Sequence, residues 1–223
     1  MKKLIIVGLG ETAELAYEYF TKDSDYDVIA FAADKKYIIK NVFYGLPVFS
    51  LESILLQSKD YINTFFFVAI SSGKLNYNRT EVYLKLKAHG LKFASYISSK
   101  AFVWDNVKIG ENCFILENNV LQPFTKIGNN VVLWSGNHIG HRTVIDDNCF
   151  ISSHVVISGY CRIGKNTFIG VNTSIADNIA IGKNNFITLG SVINKSTDDD
   201  TVLKGQFAEV MKISSLRLCK VKI

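Results

Sequence analysis

The sequence predicts two domains, a small α/β domain followed by a parallel β-helix of hexapeptide repeats. The main observation is that residues 101–196 divide into sixteen six-residue blocks without an insertion, and that the third residue of every block is aliphatic. The second observation is that the residues before the repeat alternate between strand-like and helix-like patterns. Such alternation is typical of a parallel sheet covered by helices.

The six-residue period favours a short strand followed by a turn. Residues one and three of a strand point to the same side, so we expect the aliphatic third residues to form the core with the compact first residues, which include Cys113, Cys149 and Cys161. Glycine is frequent at position four, and we expect Gly and Asn in the turns because positive φ costs them little. Three blocks would make one triangular coil, and the repeat would make about five coils.

Large apolar residues also occupy outward positions of the repeat. They are Val132, Trp134, Phe150 and Phe168. A solenoid has flat outer faces, and an apolar patch on such a face marks an interaction surface. We therefore expect one face to be buried in an oligomer.

The α/β domain is expected to span residues 1–98, the β-helix residues 99–204, and a tail that caps the open end of the β-helix residues 205–223. Within the first domain the pattern predicts strands at residues 4–8, 27–33 and 65–70 and helices at residues 11–22 and 79–89.

Length, composition and charge exclude several classes of protein. The 223 residues are 48% hydrophobic and 20% charged, as in globular proteins. The longest apolar runs fall short of the ~20 residues of a membrane-spanning helix, and the N-terminal residues lack a signal-peptide cleavage site, so we expect a cytoplasmic protein. Its four cysteines form no CxxC pair and should be reduced. The net charge of +5 is scattered, which argues against nucleic acid and favours small anions as partners.

A glycine-rich loop follows the first predicted strand. It reads GLGETA from Gly8 to Ala13, and Asp34 ends the second predicted strand. Glycines let a ligand approach the backbone, and a helix N-terminus attracts anions. Because the domain is only half of a dinucleotide fold, the loop alone leaves NAD, a single nucleotide and a purely structural turn as alternatives.

This domain order, a small GxG domain before uninterrupted hexapeptide repeats, resembles that of bacterial sugar O- and N-acyltransferases of the left-handed β-helix superfamily. Within it, the chain resembles the nucleotide-aminosugar N-acetyltransferases of the bacillosamine and perosamine type, which are related to sialic-acid O-acetyltransferases. The resemblance implies left-handed coils, although parallel crossovers are ordinarily right-handed. It also implies a homotrimer that binds acetyl-CoA between neighbouring β-helices and a nucleotide-linked amino sugar on the N-terminal domain, for surface-glycan biosynthesis.

The resemblance assigns roles to individual residues, with His141 of the NHIGH segment as the base. Substrate-binding residues would be Gly8, Gly10, Glu11, Thr12, Asp34, Lys35, Ile70 and Ser71. Cofactor-binding residues would be Phe150, Gly170, Val171, Gly190 and Lys195. The chain departs from the family pattern at Glu11, Thr12, Arg142 and residues 205–208, which leaves open the identity of the sugar and the group that orients His141.

Acetyl transfer from a thioester needs a base but no protein nucleophile, because the thioester is already activated. An imidazole accepts a proton at neutral pH, and position five of a block is an outward corner, so His141 is the expected general base. Asn137, His138 and His154 are further candidates to line the site.

Three other functions stay open at this point. The same base and groove would serve a sugar O-acetyltransferase. Three histidines in the repeat could hold zinc, as in hexapeptide enzymes that resemble carbonic anhydrases, although those lack the N-terminal domain and we expect no metal. The substitutions at Glu11, Thr12 and Arg142 would also suit a non-catalytic protein that binds nucleotide sugars.

Overall fold

In the computed structural model, which describes residues 1–221, the chain begins with a six-stranded sheet covered by helices on both faces. Its strands are β1 (Lys2–Val7), β2 (Tyr26–Ala33), β3 (Val42–Phe43), β4 (Leu46–Ser50), β5 (Thr64–Val68) and β6 (Lys92–Phe93), and its helices are α1 (Glu11–Lys22), α2 (Leu51–Leu56) and α3 (Tyr77–Ala88). The strand order is β3-β4-β2-β1-β5-β6, and every pair is parallel except the β3–β4 hairpin.

The expected strand–helix–strand pattern is confirmed, and helix α1 has the bounds that the sequence predicted. Its buried face consists of Ala13, Ala16 and Phe20, spaced as one side of a helix requires. The elements β3, β4, α2 and β6 were missed, because segments of two to six residues show no measurable period.

The second part of the chain is a parallel β-helix whose strands are two residues long. They are β7 (Tyr96–Ile97), β8 (Phe102–Val103), β9 (Lys108–Ile109), β10 (Phe114–Ile115), β11 (Val120–Leu121), β12 (Lys126–Ile127), β13 (Val132–Leu133), β14 (His138–Ile139), β15 (Val144–Ile145), β16 (Phe150–Ile151), β17 (Val156–Ile157), β18 (Arg162–Ile163), β19 (Phe168–Ile169), β20 (Ser174–Ile175), β21 (Ala180–Ile181), β22 (Phe186–Ile187), β23 (Val192–Ile193) and β24 (Val202–Leu203).

These strands form the three faces of a prism. Sheet 1 contains β7, β10, β13, β16, β19, β22 and β24; sheet 2 contains β8, β11, β14, β17, β20 and β23; sheet 3 contains β9, β12, β15, β18 and β21. Partners in register are 18 residues apart, as in Ile115 and Leu133, which confirms the triangular coil. The turns form three columns, named corner 1/2, corner 2/3 and corner 3/1 after the sheets that they join.

The inward positions are those that the repeat predicted. The third residues from Ile115 to Ile193 are buried, and so are the first-position residues Cys113, Cys149 and Cys161. The reason for glycine at position four differs from the expected one. At Gly140, for example, φ is not positive, and an added Cβ would lie 2.5 Å from the Ser158 backbone of the next coil. Glycine is needed there because successive coils approach closely.

The α/β domain covers the outer face of sheet 1 from β7 to β16, whereas Phe186 and Val202 farther along the same face are exposed. Phe114, Val132 and Phe150 lie in one buried cluster with Phe20 and Phe67, and the rings of Phe67 and Phe114 are 5.3 Å apart. For the part of this face around Val132 and Phe150, the expected cover by an oligomer is therefore wrong. A neighbouring domain of the same chain covers it, and the sequence pattern of the repeat cannot distinguish the two kinds of cover.

Arg79 of α3 joins the α/β domain to corner 3/1. Its side chain is only 1% exposed and donates hydrogen bonds to Asn130 Oδ1 at 3.1 Å and to the carbonyl oxygens of Asn130, Asn148 and Cys149 at 3.3 Å each. Burial lowers the pKa of Arg79 to about 10, so it stays charged at neutral pH. A buried guanidinium needs such a set of acceptors, because an unpaired buried charge is costly.

The sequence pattern predicted a tail that caps the open end of the β-helix. After β24 the chain runs exposed through a short helix, α4 (Ser215–Leu218), and Phe207, Val210 and Met211 expose more than half of their surface. The cap therefore stays a prediction, and the described part of the tail, which ends at residue 221, is largely exposed. None of the helices within residues 1–221 has the length and apolar character needed to span a membrane.

Candidate active site

His141 lies at corner 2/3, in the turn between β14 and β15. Its side chain is exposed, and its ring packs edge-on against Tyr160 with 4.9 Å between the ring centroids. A Cβ added at Gly159 of the next coil would lie 2.6 Å from the imidazole Cε1. The backbone N–H of His141 donates to Gln122 Oε1 at 2.9 Å. The imidazole thus has a fixed position on the protein surface with its edge open to solvent.

The residues around His141 adopt a backbone conformation that their side chains disfavour. The sixth residue of most six-residue blocks has a left-handed φ. Most of these residues are Asn, which tolerates that conformation. At corner 2/3 three successive coils instead carry Phe124, Arg142 and Tyr160, with φ of 66°, 59° and 56°. Left-handed conformations of bulky residues cluster at functional sites, and here they flank the candidate base.

The other predicted site-lining residues separate into two groups. His138 is half-buried on the outer face of sheet 2, and His154 is exposed at corner 1/2 with a left-handed φ of 58°, stacked over Gly136 of the preceding coil. Asn137 does not line a site. Its side chain is buried, donates to the Trp134 carbonyl and accepts from the Val155 N–H at 2.8 Å, so its amide is used inside the coil.

The predicted nucleotide-sugar residues lie on three loops at one edge of the α/β sheet. Gly8, Gly10, Glu11 and Thr12 follow β1, Asp34 and Lys35 follow β2, and Ile70 and Ser71 follow β5. Because β2, β1 and β5 are parallel neighbours, the three loops meet at the carboxyl ends of the strands. Ligands of open α/β sheets bind at such edges.

The two glycines of the first loop have different physical reasons. Gly8 has a φ of +139°, and a Cβ there would lie 2.5 Å from the Ala69 carbonyl oxygen, so the fold itself requires glycine. A Cβ at Gly10 would meet no atom within 4 Å. Gly10 is also the N-cap of α1 and caps the helix with no side chain. The space in front of the first amides of α1 is therefore open to a ligand.

A second strained segment follows β5 and was missed by the sequence analysis. Lys74, Leu75 and Asn76 have left-handed φ of 51°, 51° and 68° in succession. The Asn76 side chain is buried and donates to the carbonyl oxygens of Asn166 at 3.1 Å and Thr167 at 3.4 Å. This turn ties the carboxyl edge of the α/β sheet to corner 3/1. Gly73 and Asn76 were its only local signals, and both residue types are common in loops.

Most of the predicted cofactor-binding residues lie at corner 1/2. Gly170, Val171 and Gly190 lie there on successive coils, with Val171 exposed, whereas Lys195 is exposed after β23. An added Cβ at Gly170 would lie 2.5 Å from the Leu189 backbone nitrogen, so its glycine has a packing reason. Phe150 is different, because it lies in the buried layer between the domains, 5.8 Å from the Arg79 guanidinium. That position gives a cofactor no access to Phe150.

Neither a cysteine nucleophile nor a metal site accompanies His141. Cys113, Cys149 and Cys161 are buried, and burial raises the pKa of the Cys113 and Cys149 thiols to about 12 and also raises that of Cys161. Cys219 is exposed, on the tail. Within residues 1–221, no three His, Cys, Asp or Glu side chains are grouped so that they could hold a metal ion. The three histidines of the repeat therefore form no zinc site within one chain.

Comparison with known proteins finds one family model and several solved structures that this chain resembles. The family model for bacterial transferase hexapeptide (six repeats) matches residues 124–159, which include His141. A search of curated proteins gives no match.

Solved structures match over nearly the whole chain. A mutant of perosamine N-acetyltransferase from Caulobacter crescentus, in complex with CoA and GDP-perosamine, superimposes with a TM-score of 0.78 at 19% identity, over 90% of this chain and 92% of that chain. The acetyltransferase domain of PglB from Neisseria gonorrhoeae, in complex with acetyl coenzyme A, gives 0.80 at 22% identity, over 90% and 95%. The chain thus has the fold that its sequence predicted, a small α/β domain followed by a left-handed parallel β-helix, and shares it with these acetyltransferases.

Proposed function

We propose that the protein is an acetyl-CoA-dependent N-acetyltransferase that acts on a nucleotide-linked amino sugar, with His141 as general base. The observation that carries the proposal is an exposed imidazole, held at a strained corner of a β-helix, in a chain whose α/β sheet also presents an uncapped helix N-terminus at the carboxyl edge of its strands. The shared fold supports it, since the matching structures are of N-acetyltransferases or acetyltransferase domains.

The proposed reaction is one direct transfer. The neutral amine of the sugar attacks the thioester carbonyl, so that a C–N bond forms. The imidazole of His141 accepts the proton that the nitrogen loses, and collapse of the tetrahedral intermediate breaks the C–S bond. CoA leaves as the thiol after it takes up a proton. An acyl-cysteine step finds no support here, because Cys113, Cys149 and Cys161 are buried and their thiols have raised pKa values.

The nucleotide part of the acceptor would bind at the edge formed by the β1, β2 and β5 loops. Gly10 and the uncapped first turn of α1 suit an anionic group, and Asp34 and Lys35 follow the neighbouring strand β2. The pantetheine arm of acetyl-CoA would lie along corner 1/2, where Val171 and Gly190 are exposed. Lys195 would contact one of its phosphates.

A homotrimer is part of the same proposal. His141 lies at corner 2/3, whereas Val171 and the α/β domain lie at corner 1/2 and on sheet 1, across sheet 2 from it. A second copy would bring the two corners together, and the outer face of sheet 2 offers it exposed apolar residues such as Phe102, Val156 and Val192. Light scattering after gel filtration should then give about three times the chain mass of 25.0 kDa.

The location in the cell and the biological process follow from the proposed substrates. Acetyl-CoA and nucleotide sugars are made in the cytoplasm, so a cytoplasmic enzyme of surface-polysaccharide biosynthesis is the setting that fits them.

The proposal is tested by thiol release from acetyl-CoA with a panel of UDP-, dTDP- and GDP-linked amino sugars and matched hydroxyl sugars. We expect release with one amino sugar, and a loss of about a hundredfold or more in His141→Asn. His89→Asn is the matched control, because His89 is an exposed histidine at the C-terminal end of α3, outside the β-helix. It should keep full activity.

The other outcomes separate the alternatives. Release only with hydroxyl sugars would identify an O-acetyltransferase. Binding of a nucleotide sugar without release would favour a non-catalytic binding protein. Unchanged activity in His141→Asn would exclude His141 as the base even if the enzyme class is right.

A further inference from the structure

A pocket of about 390 Å³ lies on the outer face of sheet 3, next to His141. It spans three coils and is lined by Asn106, Lys108, Phe124, Lys126, Arg142 and Val144. The lining contains three cations and no carboxylate. The repeat pattern does not require positive charge at these positions. The second residue of a block points outward, and any polar side chain could be solvated there.

The two lysines of the pocket stand in an arrangement that the fold alone disfavours. Lys108 and Lys126 are partners in register on β9 and β12, so two like charges are neighbours on one face. One coil above the pocket the same column carries Arg162, whose guanidinium is neutralised by Asp146 at 2.9 Å. The positive charge of the pocket is therefore concentrated beside His141, and the ion pair begins just outside it.

Arg142 is held in place by aromatic rings. Its guanidinium carbon lies 4.5 Å from the centre of the Phe124 ring and 6.0 Å from that of Tyr160. Phe124 is fixed in turn, because its backbone N–H donates to Asn106 Oδ1 at 2.7 Å. A guanidinium that is already oriented loses less entropy when it binds, and its planar fork matches two oxygens of an oxyanion.

We propose that Lys108, Lys126 and Arg142 form a binding site for phosphate groups of a substrate. The chemistry fits a diphosphate, whose several charged oxygens can meet three cations that span more than one coil. The naming of a substrate rests on the proposed function, since both a nucleotide sugar and acetyl-CoA carry a diphosphate. A site for phosphate beside His141 would position that substrate for transfer.

The test is calorimetric binding of inorganic pyrophosphate to the full chain, which requires no turnover. We compare the wild type with Arg142→Gln and with the double variant Lys108→Gln/Lys126→Gln, which leaves the strained corner unchanged. Arg162→Gln is the matched control, because it removes one positive charge from the same face of sheet 3 outside the pocket. Circular dichroism and thermal unfolding verify that each variant is folded.

We expect pyrophosphate to bind about tenfold more weakly or worse in both pocket variants, to be unaffected by Arg162→Gln, and to weaken as salt is added. Wild-type protein that binds no pyrophosphate, or equal losses in the pocket variants and in Arg162→Gln, would overturn the proposal. A wild type that binds pyrophosphate through the pocket but transfers no acetyl group would contradict the proposed function alone.

Two further titrations identify the source of the phosphate. Nucleoside diphosphates and CoA are each titrated into the wild type and both pocket variants. A loss of affinity confined to nucleoside diphosphates assigns the pocket to the acceptor, and a loss confined to CoA assigns it to the donor. Unchanged affinity for both ligands would again overturn the proposal.

Discussion

Corners 3/1 and 2/3 of the β-helix have the same backbone turn but different side chains. At corner 3/1 the last residue of the six-residue block is Asn in five successive coils, with left-handed φ each time. They are Asn112, Asn130, Asn148, Asn166 and Asn184. Asn112 donates to Asn130 at 2.8 Å, and Asn130 donates to Asn148 at 2.9 Å. At corner 2/3 the equivalent column contains Phe124, Arg142 and Tyr160. The first column is locally favourable, and the second is strained by roughly 1–2 kcal/mol per residue.

The difference shows that the corner with low backbone strain is the one that packs against the α/β domain, whereas the strained corner lies beside the candidate base. Corner 3/1 lies against the α/β domain and receives the buried Arg79, and Asn112, Asn130 and Asn166 each donate to the Asn of the next coil. Corner 2/3 faces solvent beside His141 and gives up the asparagine ladder for a cation and two aromatic rings. Strain of this kind persists only where the surrounding structure imposes it, and eighteen-residue register imposes it here.

The largest effect on stability is expected from removing the side chain of Arg79, which joins corner 3/1 to the α/β domain. Arg79→Ala should lower the free energy of unfolding by about 3–5 kcal/mol, because it leaves a cavity and several buried carbonyl oxygens without donors. Urea denaturation measures this. Arg162→Ala, at an exposed arginine, should change it by less than about 0.5 kcal/mol. A similarly small loss in Arg79→Ala would mean that the domains dock without this contact.

A smaller effect is expected from removing one member of the ladder. Asn130→Ala places alanine in a left-handed turn and deprives Asn112, Asn148 and Arg79 of a partner, so we expect a loss of about 2–3 kcal/mol. Asn178→Ala is the matched control, since Asn178 has the same φ within 3° of Asn130 but is exposed at corner 2/3. It should lose only about 1 kcal/mol. Equal losses would show that the ladder contributes nothing beyond backbone conformation.

At corner 2/3 a substitution is expected to raise the free energy of unfolding rather than lower it. Arg142→Asn restores the residue type that the turn prefers, and it should raise the free energy of unfolding by about 1 kcal/mol. Thermal unfolding measures the gain, and the same sample should bind pyrophosphate more weakly. A destabilised Arg142→Asn would mean that the contacts of Arg142 with Phe124 and Tyr160 outweigh the backbone strain.

The smallest effect concerns local opening at the two corners. Cys161 follows Tyr160 at corner 2/3, whereas Cys113 and Cys149 follow ladder residues at corner 3/1. Iodoacetamide labelling of the native protein should modify the exposed Cys219 first, then Cys161, and last Cys113 and Cys149, whose pKa of about 12 suppresses the thiolate. Peptide mass spectrometry gives the order. Labelling of Cys149 before Cys161 would contradict the idea that the strained corner opens more readily.

Much of the fold and part of the site could be predicted from residue patterns. The aliphatic third positions determine the coils, and the turn residues around Gly8 and His141 mark both halves of the candidate site. Phe150 and Asn137 were expected at the site but are buried in this structure, because a sequence pattern shows that a side chain points outward or inward but does not show what lies against it. The pocket of Lys108, Lys126 and Arg142 was missed, because its members are eighteen and sixteen residues apart and look like scattered surface charge.

The sequence by itself determined the β-helix, its eighteen-residue coil and the exposed corner position of His141, because each follows from a local period repeated many times. Only the tertiary structure decided which face the α/β domain covers, which corner became strained, and where three cations meet. These depend on contacts between residues far apart in the chain, such as Arg79 with Asn130 and Phe67 with Phe114, and a local period contains no information about them.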